Sequence, residues 1–153
     1  MIKGLPLPIA KAYSLDVSKD VSFDMEESVS TSGESGPYLQ YIVARIKSII
    51  RKAEIKNTKL KIQNSTEPEE KELLLKLAEY PEVTKASFEN YDPSKIAHYL
   101  FDLAQSFNRF YNEAPVLKAE GETKVFRLHL IKAVEQVMAR GLYLLGIETV
   151  EEM

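Results

Sequence analysis

The chain of 153 residues contains no cysteine, which excludes disulfides, thiol catalysis and cysteine-ligated zinc. It has two histidines, His98 and His129, and the surrounding periodicity puts them on different helices. Asp102 stands one helical turn after His98, the spacing of a local hydrogen-bonded pair rather than of a metal or catalytic centre. The glycines of Ser32-Gly33-Glu34-Ser35-Gly36-Pro37 are too sparse for a phosphate-cradling loop, and no Lys-Ser/Thr follows them. His-Glu-x-x-His and Gly-x-Ser-x-Gly are both missing, and carboxylate pairs such as Glu69/Glu70 fall at capping or exposed positions. No apolar run approaches the ~18 residues of a membrane span. The short apolar patch near the N-terminus is broken by Pro6 and Pro8, which is not the pattern of a secretory signal. These absences describe a soluble, cytoplasmic chain with no metal site, no catalytic residue and no membrane partner.

Charge is moderate in total and uneven in placement. The net charge of −3 argues against coating nucleic acid by bulk electrostatics. Between positions 45 and 61, however, seven basic residues (Arg45, Lys47, Arg51, Lys52, Lys56, Lys59, Lys61) accompany one acid, Glu54. Acids gather elsewhere, between positions 67 and 72 and at Glu148, Glu151 and Glu152. A local basic face on an acidic protein suits selective contact.

Helical periodicity dominates the chain, and its length fits one domain. Residues 9–15 read as a helix and 24–27 as a helical turn, followed by a Ser/Gly-rich loop over 30–36. Pro37 is placed as a first helical residue, and that helix is expected to run to about residue 54. After a polar linker over 56–65, Thr66-Glu67-Pro68-Glu69 reads as a capping box that starts the next helix. Pro81 is expected to open a further short helix, and Asp92-Pro93 to start a long one ending near Asn112. The last long helix is expected over 123–140, with Gly141 as its C-cap. The expectation is an all-α bundle of five to six helices.

The helix after Pro37 is the most informative. At ~100° per residue, Leu39, Ile42, Val43, Ile46, Ile49, Ile50 and Ala53 share an arc of about 120°, which is the core stripe. Tyr38, Tyr41, Arg45, Ser48 and Lys52 fall on a separate arc of roughly 80°. Two aromatic rings with a guanidinium one turn on suit stacking on something flat and anionic, and nucleotides are the commonest such partner. In the helix after Pro93, Ile96, Leu100, Leu103, Ala104, Phe107, Phe110 and Tyr111 form an apolar stripe. Tyr99 lies at the edge of that stripe and Asn108 beside it.

These segments carry a resemblance. Gly36-Pro37-Tyr38-Leu39-Gln40-Tyr41, with Ala44-Arg45-Ile46 and Arg51-Lys52, resembles the start of the C-terminal, DALR-type anticodon-binding domain of arginyl-tRNA synthetases. Leu103-Ala104 with Phe107-Asn108-Arg109-Phe110-Tyr111-Asn112 is similar to a second signature of that family. Val116-Leu117, Arg127-Leu128 and Gly141-Leu142-Tyr143-Leu144-Leu145-Gly146-Ile147 complete the likeness, which covers residues 18–153. Residues 1–17 depart from it and read as a lead or truncated linker. Phe126 stands where the family usually has a small residue.

The resemblance implies a tRNA-binding domain of a class I aminoacyl-tRNA synthetase acting in protein biosynthesis. Tyr38 and Tyr41 would contact anticodon bases, and Arg45 a base edge or the backbone. Lys52, with Lys47 and Arg51, would hold phosphates, and Tyr111 and Met153 would complete the pocket. The second and third anticodon letters of arginine isoacceptors would matter most. No cofactor is expected here; ATP and Mg2+ belong to the parent arginine–tRNA ligase. Its His-x-Gly-His and Lys-Met-Ser-Lys signatures are missing from this chain, which would need the parent's catalytic domain to charge tRNA. Two alternatives stand beside this reading. One is a helical protein-interaction module that docks a partner on its exposed tyrosines. The other is the related domain of another synthetase, such as the glycine enzyme.

Overall fold

The structure, a computed structural model, describes residues 35–53 and 67–151. They form four helices: α1 (Gly36–Lys52), α2 (Pro68–Glu89), α3 (Ser94–Glu113) and α4 (Gly121–Leu144). The described residues contain no strand. The all-α expectation therefore holds, while the helix candidates at 9–15 and 24–27, like the proposed lead over 1–17, lie outside the described residues.

The starts of α1, α2 and α3 each have a local cause. The Ser35 hydroxyl accepts the Tyr38 backbone N–H at 3.2 Å, and Pro37 sits in the first turn where its missing donor costs nothing. Arg51 and Lys52 occupy the last turn of α1, where cations oppose the negative end of the helix dipole. The capping box of α2 lies one residue later than its Thr66-based reading: Glu67 is the N-cap, and its N–H donates to Glu70 Oε2 at 3.1 Å. At the start of α3, the Asp92 carboxylate accepts the Ser94 N–H at 3.1 Å.

Two expected boundaries are corrected. Pro81 opens no new helix; it lies inside a continuous α2, at an exposed position. A proline inside a helix removes one backbone donor, and α2 continues past it. Gly141 does not cap α4, which continues to Leu144. A Cβ at position 141 would stand 2.7 Å from Leu100 Cδ2, so this glycine allows α4 to approach α3 closely. The capping glycine is Gly146, at φ 73°. Its N–H donates to the Tyr143 carbonyl at 3.0 Å and that of Ile147 to Leu142 at 2.9 Å, the paired bonds of a Schellman motif.

Helices α3 and α4 pack on each other and form the middle of the bundle. Helix α2 lies against both on one side, and α1 lies against both on the other. The core draws Leu39, Ile42, Val43 and Ile46 from α1, Leu100, Leu103, Phe107 and Phe110 from α3, and Ile131, Val134, Met138 and Leu142 from α4. Each such side chain contributes roughly 1.5–3 kcal/mol on burial. Phe126 is buried in the same core. Helix α2 supplies Leu73 fully and Leu77, Tyr80 and Val83 in part. Tyr99 is more deeply buried than its place at the stripe edge indicates, and Phe101 is buried as well. Asp102 lies 3.7 Å from the Lys76 ammonium, so the expected partner of His98 faces α2 instead.

Packing also hides one ion pair. Arg127 Nε donates to Glu70 Oε1 at 2.6 Å, with Glu70 3% and Arg127 8% exposed. The other Glu70 oxygen holds the α2 N-cap. One carboxylate thus serves a helix start and a bridge from α2 to α4. The capping place expected for Glu70 holds, and its burial adds a bridge to Arg127 that the sequence did not indicate.

Candidate nucleic-acid interface

The periodicity of α1 turns its isoleucines inward, and the same rotation leaves Tyr41, Arg45, Ser48 and Lys52 toward α3's C-terminal end. There Tyr41, Arg45, Ser48, Arg51, Lys52 and Tyr111 line an open cavity of about 390 Å³. Three cations (Arg45, Arg51, Lys52) and no acid stand among its lining residues. Tyr41 is 40% exposed, so its ring is available as a contact surface.

Arg45 is held on two sides. Its Nη1 donates to Asn108 Oδ1 at 3.2 Å, and its guanidinium carbon lies 4.8 Å from the Tyr111 ring centroid. The Tyr111 ring is in turn 5.9 Å from that of Phe107, which is fully buried. A guanidinium over an aromatic face gains from the ring quadrupole, and here the stack is anchored in the core. Tyr111 belongs to the apolar stripe by periodicity, yet it sits at the bundle edge with one side on the core and another on the cavity.

Tyr38 is placed differently from Tyr41. It is half-buried, packs against the core, and its hydroxyl accepts a hydrogen bond from Asn108 Nδ2 at 2.9 Å. Burial raises its phenol pKa, against smaller opposing pulls from the Asn108 hydrogen bond and the Arg45 charge. The two tyrosines of α1 therefore do not form one continuous shelf: Tyr41 lines the open cavity, and Tyr38 lies behind Arg45 through Asn108.

The segment after α4 returns along α1. Gln40 Nε2 donates to the Glu148 carbonyl at 2.6 Å, Lys47 pairs with the Glu151 carboxylate at 2.6 Å, and Arg51 reaches the Glu151 carbonyl at 3.5 Å. The adjacent Lys47 ammonium lowers the Glu151 pKa. Lys47, one of the basic residues expected to meet phosphate, is thus engaged by this segment. Met153 lies outside the described residues.

Asn108 and Glu151 are the participants that reading the sequence did not select. Asn108 sits three residues before Tyr111, but a side chain between the polar and apolar arcs gives no signal of its own. Glu151 is one of several acids near the end of the chain, and only the turn at Gly146 aims it at Lys47.

A second groove, of about 880 Å³, runs between α2 and α3. Its charged lining mixes Lys76 and Lys95 with Glu79, Glu82 and Asp102, so it offers an anion no net attraction. Among the described residues, no group of three or more His, Cys, Asp or Glu side chains is placed to hold a metal ion. No helix among them is long and apolar enough to cross a membrane.

Known proteins are similar to this chain. An arginine–tRNA ligase of Flavobacterium psychrophilum is 39% identical over 156 aligned positions, spanning 100% of this chain and 26% of that protein. One from Pyrobaculum islandicum is 42% identical over 136 positions, spanning 88% of this chain and 22% of the relative. The chain thus spans about a quarter of the length of the curated relatives it matches. Among solved structures, the arginyl-tRNA synthetase of Thermus thermophilus superposes with a TM-score of 0.88 at 34% identity. That match covers 95% of this chain and 26% of the other. The arginyl-tRNA synthetase of Plasmodium falciparum, at 24% identity and a TM-score of 0.84, shares the fold over 96% of this chain and 26% of its own. The family model of the DALR anticodon binding domain matches residues 39–153, a stretch that begins within α1 and takes in every described residue of the cavity, and on that ground the chain belongs to the DALR anticodon-binding domain family.

Proposed function

We propose that this chain is the tRNA-recognition portion of an arginine–tRNA ligase and that the α1–α3 cavity receives unpaired anticodon bases. The observation that carries the reading is the cavity's lining: an exposed ring at Tyr41, a guanidinium stacked on Tyr111, and three cations without an acid. Single-stranded loops are read by unstacking bases onto aromatic and guanidinium planes and bonding their edges. Each such stack is worth ~1–3 kcal/mol. Arg45 presents a plane already fixed by Asn108 and Tyr111, so little ordering cost falls on binding. Arg51 and Lys52 flank that plane where a backbone phosphate would pass.

In this reading Tyr41 stacks on a base, Arg45 and Tyr111 form the opposite platform, and Tyr38 bonds an edge from behind. Met153 would close the site. The ligands are arginine isoacceptors, read chiefly through their second and third anticodon letters. Activation of arginine with ATP and Mg2+ would belong to a catalytic portion of the full-length cytoplasmic ligase, with which this domain would share the tRNA. A protein-interaction module is disfavoured by a cavity lining whose charged residues are all cations.

Fluorescence titration of the chain with an arginine tRNA tests the proposal. The expected result is tighter binding to that tRNA than to a version with its second and third anticodon letters exchanged. Equal binding to both would overturn it, as would an unchanged affinity after Tyr41→Ala.

A further inference from the structure

Asn108 stands between the two groups on α1 that the recognition reading needs, and its amide has only one workable orientation. Arginine carries donors and no acceptor, so the atom 3.2 Å from Arg45 Nη1 must be Oδ1. The NH2 end then faces the Tyr38 hydroxyl at 2.9 Å. The phenol oxygen is thereby the acceptor in that bond, and its own proton must point elsewhere. A fixed guanidinium on one helix thus sets, through an amide on another, the direction of a hydroxyl proton on the first.

We propose that Asn108 is a positioning residue for base discrimination: it orients the Arg45 plane over Tyr111 and makes the Tyr38 hydroxyl a hydrogen-bond donor toward the RNA. This rests on the recognition reading and adds a chemical specification to it. The group met by the Tyr38 proton is then an acceptor, a nucleobase carbonyl or ring nitrogen. A site that demands one polarity of partner rejects the wrong base by leaving a polar group unpaired.

The decisive variant is Asn108→Asp. A carboxylate still accepts from Arg45, so the stack on Tyr111 survives. It has no donor for Tyr38, however, and the phenol proton turns toward the carboxylate, leaving the hydroxyl only lone pairs for a ligand. Tyr38→Phe removes the same donor by another route. The native chain, both single variants and the double variant are titrated with an anticodon stem-loop RNA of an arginine isoacceptor. A parallel set of stem-loops has each anticodon letter exchanged in turn.

Each single variant is expected to lose about five- to tenfold in affinity for the native loop, the size of one hydrogen bond. That loss should disappear against the loop whose acceptor-bearing letter is changed. The double variant should be no worse than Asn108→Asp alone, because both remove one donor. A uniform loss across all loops, or additive losses in the double variant, would mean only charge repulsion or general loosening and would overturn the proposal. So would full discrimination in Asn108→Asp. If the native chain itself fails to discriminate, the recognition reading falls first and this proposal with it.

Discussion

Helix α3 (Ser94–Glu113) carries one tyrosine toward α2 and another toward α1, and the two surroundings differ in what they leave open. On the α2 side, the Tyr99 hydroxyl donates to the Lys76 main-chain carbonyl at 2.8 Å, and its ring lies 5.8 Å from that of Tyr80. The Lys76 ammonium is bound by Glu79 at 3.1 Å and lies 3.7 Å from Asp102. The Lys76 ammonium there has two acids within 4 Å. On the α1 side, Tyr111 lies under Arg45, and the cations around it meet no acid among the cavity's lining residues. The number of aromatic rings does not separate the two places, and neither does cavity size, since the balanced groove is the larger. The distinguishing property is a charged lining made of cations alone beside an exposed ring.

If one side serves structure and the other recognition, substitutions should separate stability from binding. The largest loss of stability is expected from Arg127→Leu. It strands Glu70 without its cation in a buried site, which costs about 3–5 kcal/mol. Urea denaturation should show it, and RNA affinity of the folded fraction should stay within twofold, roughly the error of such titrations.

Tyr41→Ala should give the reverse pattern. It removes a partly exposed ring with little effect on the melting temperature, and weakens binding of an arginine tRNA by ~1–3 kcal/mol. A comparable loss of stability in this variant would dissolve the distinction between the two sides.

Tyr99→Phe should cost about 1–2 kcal/mol, because the Lys76 carbonyl loses its buried donor, and leave RNA affinity unchanged. The same residue sets an alkaline limit. Burial raises the pKa of Tyr99 most, and also those of Tyr80 and Tyr38. A raised folded-state pKa means stability that is fully present below the unfolded value of about 10 and declines as pH rises beyond it. Thermal melts above pH 10 should fall more steeply for the native chain than for Tyr99→Phe.

The smallest effect is expected from Lys52→Ala. One fewer phosphate contact should reduce the salt dependence of RNA binding by about 0.7 in log–log slope, without altering the preference among anticodon letters.

The helical stretches were legible because α1 and α3 repeat their apolar residues at the helical period and meet clear start signals in Ser35-Gly36-Pro37 and Asp92-Pro93. The misreadings came from residues whose meaning depends on a neighbour. Gly141 and Gly146 are alike in sequence, yet one makes room for Leu100 and the other turns the chain. Pro81 looks like a helix start because local rules cannot reveal that packing on α3 carries α2 through it. Tyr41 and Arg45 could be selected from α1 alone, since facing away from a stripe is a property of one helix. Tyr111 came only through family likeness, because periodicity placed it in the core.

By itself the sequence determined that this chain folds as helices, where α1 and α3 begin, which side of α1 is apolar, and that positive charge gathers on its other side. These follow from spacing along a single helix, where rotation per residue is constant. Tertiary structure alone decided that Asn108 links Arg45 to Tyr38, that Glu70 finds Arg127, and that the segment after Gly146 lays Glu151 on Lys47. Those contacts join residues 57 or more positions apart, and short-range periodicity carries no information about which distant side chain will arrive.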